Sequence, residues 1–176
     1  MRPAHGEASV LGRPARAARE LVGVVSHTTF LYDELSAAEN LRFYAELYAV
    51  PRPAQRAAEV LERVGLPHLA NERVGHLSRG QQQRVTIGRA LLHNPPVLLL
   101  DEPDTGLDQA AFGLLQELAT SDGRTVVLTT HNLAAGLRLG TRVAVLARGR
   151  VVHERANVSL SDAVALSELL QRLATA

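Results

Sequence analysis

The sequence has 176 residues, 46% of them hydrophobic and 21% charged, which is the composition of a globular chain and not a disordered one. A net charge of +1 and only 3% aromatic residues supply neither a broad basic field for nucleic acid or anionic lipid nor a base-stacking surface for single strands. Cys is absent and all 19 basic residues are Arg, so these residues offer no disulfide, thiolate, Cys-ligated metal, or catalytic or phosphate-binding Lys.

A chain of this length buries about 70% of its unfolded surface, enough for a substantial core. Plainly apolar runs such as Val97 to Leu100 are far short of the roughly 20 residues of a membrane span. The start, Met1 to Glu7, lacks the apolar centre of a signal peptide. A cytoplasmic location is expected.

Taken in order, Glu7 to Leu11 predicts a short strand ending at Gly12, and Leu21 to Val25 a buried strand followed by polar residues. Ser36 and Glu39 form an S-x-x-E capping box ahead of a helical stripe of Leu41, Tyr44, Leu47 and Tyr48, which predicts a helix. A second helix is expected from Pro53 to Gly65. Ser78 can cap a third, running through Val85, Ile87 and Leu91 until Asn94-Pro95-Pro96 stops it.

The pattern then alternates: strand Val97 to Leu100, helix Asp108 to Ala119, turn Ser121-Asp122-Gly123, strand Thr125 to Thr129. A short helix over Leu133 to Leu139 follows, then strands Arg142 to Leu146 and Val151 to His153 about the Arg148-Gly149-Arg150 turn. An amphipathic helix from Leu160 to Leu173 closes the chain. Apolar strands alternating with helices predict a parallel sheet covered on both faces, and the helix-only stretch from Ser36 to Asn94 predicts a helical subdomain.

Three segments carry chemistry. Asp101-Glu102 directly follows an apolar strand, and in open α/β sheets that end faces the ligand crevice. An Asp there can hold Mg²⁺, and a neighbouring Glu can orient or deprotonate an attacking water. Alone, the pair reads equally as carboxylates capping the next turn. Ser78-Arg79-Gly80-Gln81 opens a helix, where backbone N–H groups and the helix dipole favour an anion; alone it reads as a helix cap. His131 ends the strand Thr125 to Thr129 with Thr130 and can donate to a phosphate oxygen, although a lone strand-end His is more often structural. The seven His show no zinc-ligand spacing.

In order, LSRGQQQR, VLLLDEP, TGLD (Thr105 to Asp108) and TTH resemble the ATP-binding cassette (ABC) ATPases, in particular the ATP-binding subunits of bacterial ABC transporters. The L-S-R-G variant is similar to the haem-exporter type. The resemblance covers essentially the whole chain. It implies an α/β fold: a P-loop NTPase (RecA-like) core of mostly parallel strands, incomplete here, with an α-helical subdomain. Residues 1–26 would be the N-terminal part of the core, 27–95 the Q-loop and helical subdomain, 96–155 the remaining core, and 156–176 a C-terminal helix.

The resemblance also implies ATP and Mg²⁺ as cofactors. Asp101 would be the Mg²⁺-binding Walker B Asp, Glu102 the residue that positions water, and His131 the switch that senses the γ-phosphate. Asp108 would be the D-loop Asp. Ser78, Arg79, Gly80 and Gln81 would form the signature that meets ATP held by a second ABC ATPase subunit. His27 stands where the family has the Q-loop Gln, Arg79 replaces the first Gly of the signature, and Asp104 adds a third carboxylate. The segment from Phe30 to Tyr48 would meet a transmembrane permease.

The family's phosphate loop, G-x-x-x-x-G-K-S/T, does not occur in these residues. The resemblance of Arg2 to Glu7 would place its Lys roughly ten residues before Met1. Losing about five charge-assisted phosphate contacts at roughly 1.5–3 kcal/mol each forfeits on the order of 7–15 kcal/mol, whereas micromolar binding is worth about 8. The 176 residues alone are therefore expected not to bind ATP appreciably, and to be unstable or to aggregate unless something covers the missing centre of the sheet. Two functions follow: an ATP-hydrolysing transporter subunit, or a non-catalytic half that lends Ser78 and Gly80 to a partner's ATP.

Overall fold

The computed structural model describes residues 5–26, 28–103 and 109–175. Its centre is a three-stranded parallel sheet in the order β3 (Val22–Val25), β4 (Val97–Asp101), β5 (Thr125–Thr129). The register pairs Val22 with Val97, Leu100 with Leu128, and Asp101 with Thr129. Apart from Gly23 and Asp101, the strands are β-branched and Leu runs. Such runs suit a strand whose neighbours are parallel and far apart in sequence.

Between β3 and β4 lie three helices: α1 (Ala37–Leu47), α2 (Pro53–Arg63) and α3 (Arg79–Leu91). The Ser36–Glu39 capping box forms as read: the Ser36 N–H donates to Glu39 Oε2 at 2.8 Å, and the Glu39 N–H to Ser36 Oγ at 3.2 Å. Pro53 begins α2, where a missing N–H costs nothing. The α1 helix forms, and its stripe is only partly buried. Leu41 and Ala45 are buried, but Leu47 is 65% exposed and Tyr48 lies at the surface. Asn40 takes an inward position instead, fully buried, with its side chain bonded to Tyr32 N and O, Leu35 O and Ser36 O. It fixes the turn that leads from β3 into α1.

One core joins the helices to the sheet: Leu41, Val60, Leu61, Val85, Ile87 and Leu91 pack with Val25, Leu98, Leu100 and Leu115. At Gly23 of β3 an added Cβ would strike the Ala90 carbonyl and come within 2.8 Å of Leu98. The bare backbone is what lets β3 lie against the end of α3.

After β4 come α4 (Gln109–Thr120), β5, α5 (Leu133–Leu139), the antiparallel pair β6 (Arg142–Ala147) and β7 (Arg150–Ala156), and α6 (Ala163–Thr175). The first predicted strand is shorter than expected. Ser9–Val10 (β1) pairs with Arg13–Pro14 (β2) in a small hairpin of its own. The predicted C-terminal helix begins as a 3-10 turn at Leu160–Asp162 before α6.

The sheet is not covered on both faces as expected. Helices lie over Gly23, Val25, Leu98 and Leu100, whereas Val24, Leu99 and Val127, aligned by the register, are 39%, 38% and 51% exposed. Periodicity shows that both faces are apolar, but not that a layer is present to meet each one. The β6–β7 pair stands apart from β5, and between them lies a cavity of about 540 Å³ lined by Leu128, Leu137, Val145 and Leu166.

Candidate functional site at the end of the parallel sheet

The parallel register brings the ends of β4 and β5 side by side, so Asp101 and Thr129 are partners across the ladder. The Thr129 hydroxyl donates to Asp101 Oδ1 at 2.6 Å. Oδ2 of Asp101 has no hydrogen-bond partner among the described residues.

At Glu102 the chain turns out of the strand with φ at 46°, in the left-handed region that costs a non-glycine residue about 1 kcal/mol or more. Its N–H donates to both the carbonyl (3.0 Å) and the hydroxyl (3.2 Å) of Thr129, which holds this backbone. The turn carries the Glu102 carboxylate to within 3.8 Å of His131 Nδ1, with side chains 53% and 73% exposed. A contact this long and open contributes little to stability. Beyond it, the Asn132 N–H donates to Thr130 Oγ1 at 2.9 Å, where the chain bends into α5.

Asp101, Glu102 and His131 thus share one solvent-facing edge. No group of three or more His, Cys, Asp or Glu capable of caging a metal occurs among the described residues. The donor set is nevertheless suited to Mg²⁺, which is commonly held by one or two carboxylates while phosphate oxygens and water complete its shell. The same residues include no phosphate cradle.

Ser78 lies elsewhere, at the exposed start of α3. Its capping box is reciprocal: Ser78 N–H to Gln81 Oε1 at 2.8 Å and Gln81 N–H to Ser78 Oγ at 3.3 Å. Leu77 is buried, and Gln82 Nε2 donates to the Val74 and Leu77 carbonyls, anchoring the turn from below. Arg79 is exposed, and Gly80 and Gln81 are half-buried. No hydrogen bond or ion pair joins this turn to Asp101, Glu102 or His131. His27, Asp104 and Asp108 lie outside the described residues.

Two residues were missed in the sequence reading. Thr129 stands in the TTH motif without a role of its own, since only the register sets it against Asp101. Arg89 looks like one more solvated Arg, yet it is 7% exposed. Its guanidinium sits over Phe30 and Tyr44, 5.5 and 5.2 Å from the ring centroids, and Nη2 donates to the Val24 carbonyl at 2.9 Å. Burial lowers its pKa from the usual Arg value.

An acidic pair at the carboxyl end of the middle strand of a parallel sheet and a His at the end of the next strand lie at the edge where open α/β sheets hold their ligands. Residues 1–105 match the family model described as "ABC transporter", and the chain belongs to that family. It is 38% identical to the Nod factor export ATP-binding protein I of Burkholderia orbicola over 91% of this chain and 56% of that protein. It is 42% identical to the phosphonates import ATP-binding protein PhnC of Trichormus variabilis over 77% of this chain and 61% of that one. The chain therefore spans a little over half the length of these curated relatives.

Among solved structures, an ATP-binding subunit of an ABC transporter superposes with a TM-score of 0.80 at 29% identity, covering 99% of this chain and 77% of that one. A dimeric ATP-binding cassette in a post-hydrolysis state with ADP and Pi gives 0.74 at 30% identity, with 91% and 77% covered. The fold is that of the ABC ATPase cassettes.

Proposed function

We propose that this chain serves as the ATP-binding and ATP-hydrolysing subunit of an ABC transporter and drives substrate movement through a transmembrane permease. The observation that carries the reading is the grouping of Asp101, Glu102 and His131 at the end of β4 and β5. Asp101 would hold Mg²⁺ through its unpartnered oxygen. Bound Mg²⁺ neutralises charge on the transferring phosphate. Glu102 would orient the attacking water and take its proton, and His131, beside it, would donate a hydrogen bond to the γ-phosphate oxygen. Asp108 and His27 would complete the site as D-loop and Q-loop residues.

Ser78, Gly80 and Gln81, which make no hydrogen bond to that cluster, would serve the ATP of a second ABC ATPase subunit, with Arg79 at the rim. The phosphates need a cradle that these 176 residues do not contain. Among the described residues no helix is long and apolar enough to cross a membrane. Attachment to the cytoplasmic face would come through the permease, against the exposed Phe30 and Tyr32. A second reading is a non-catalytic half-module that only lends Ser78 and Gly80 to a partner's ATP.

ATP turnover by the assembled complex separates the two. On the first reading Glu102→Gln lowers turnover about 100-fold or more while ATP still binds. Unchanged turnover in Glu102→Gln together with loss in Ser78→Arg would leave only the half-module.

A further inference from the structure

We infer that Thr129 is the positioning residue of the acidic pair, tying Asp101 and Glu102 into one geometry. This rests on the reading of Asp101 as the Mg²⁺ ligand. Three bonds converge on one residue. The Thr129 hydroxyl donates to Asp101 Oδ1 at 2.6 Å, and both the hydroxyl and the carbonyl accept the Glu102 N–H, at 3.2 and 3.0 Å.

A hydroxyl has one hydrogen to give and two lone pairs to receive. Giving that hydrogen to the carboxylate and accepting from the amide uses it in both directions. The consequence for Asp101 is a carboxylate restrained from rotating, with one oxygen engaged and the other left open. The consequence for Glu102 is a left-handed backbone, φ 46°, retained at a position where a non-glycine residue would ordinarily relax. That backbone sets the carboxylate beside His131, two residues along from Thr129 itself. Thr129 touches neither phosphate nor water in this scheme; it acts through its neighbours. Outer-shell hydrogen bonds of this kind commonly change metal affinity 10- to 100-fold when removed.

Thr129→Val keeps the shape and the strand preference and deletes only the hydroxyl, while Thr129→Ser restores it. The probe is Mn²⁺ in place of Mg²⁺, with ATP, in the assembled complex, read by the electron paramagnetic resonance of free and bound Mn²⁺. Thermal unfolding of each variant controls for folding. Thr129→Val is expected to weaken Mn²⁺ binding about tenfold or more, with Thr129→Ser within about threefold of the parent and Asp101→Asn abolishing the site. Equal Mn²⁺ affinity in Thr129→Val and the parent, with Asp101→Asn still abolishing binding, overturns the inference about Thr129 alone. Mn²⁺ binding that survives Asp101→Asn overturns instead the assignment of Asp101 on which it rests.

Discussion

At the residue scale, several carboxylates and hydroxyls are held by short hydrogen bonds from backbone N–H groups. Glu39 shows how such a bond becomes visible in solution. The Ser36 N–H, with the Ser36 hydroxyl beside it, holds the Glu39 pKa below the ordinary glutamate value. A carboxylate with a depressed folded pKa contributes stability that is complete above its unfolded pKa and disappears as pH falls through the folded one. Glu39→Gln should therefore lower the urea midpoint slightly at pH 7, and the difference should shrink as the pH falls below the ordinary glutamate range and Glu39 of the parent becomes protonated. A gap between the two that stays constant with pH would mean that the ionised form adds nothing to the cap.

At the scale of elements, the seat of β3 on α3 places the segment that leads toward position 27. Gly23→Ala sets a methyl against the Ala90 carbonyl and the Leu98 side chain, and backbone cannot yield as a flexible side chain does. A loss of about 2–3 kcal/mol is expected from chemical denaturation, at the upper end of overpacking. Gly113 of α4 is the counterpart, exposed and with nothing within 4 Å of an added Cβ. Gly113→Ala should gain about 0.5–1 kcal/mol, because Ala loses less backbone entropy in a helix. Equal effects at the two sites would show that β3 tolerates displacement from α3.

At the scale of the whole molecule, the open sheet face dominates. Val24, Leu99 and Val127 form an apolar row in solvent, and β5 stands beside a mainly apolar cavity where β6 does not pair with it. Exposed apolar rows and unpaired strand edges promote association. The purified 176-residue chain is expected to bind the dye ANS and to elute from size-exclusion chromatography as more than a monomer. Leu99→Thr with Val127→Thr should reduce the dye signal about twofold. A monodisperse parent that leaves ANS dark would show that the face is protected in solution.

Much of this architecture could be read in advance, because the signals were local. Capping at Ser36 and Ser78, Pro53 at a helix start, the Pro pair after α3 and the apolar runs of β4 and β5 each depend on a few neighbouring residues. The acidic pair and His131 were legible for the same reason: a strand end is a local feature, and strand ends of a parallel sheet gather on one edge. What escaped was decided by pairing and layering. Thr129 acquires its role only from the residue beside it across the β4–β5 ladder, 28 positions earlier in the chain. Leu47 fits a helical stripe by spacing, yet no element packs against that side. Arg89 looks solvated until two aromatic rings close over it. Residue order, through short-range sterics and hydrogen bonding, was enough to set where helices and strands begin and end and which acids stand at a strand terminus. Which faces meet a neighbour, and which polar atoms meet one another, depended on contacts between distant segments, for which the order of residues carries no local mark.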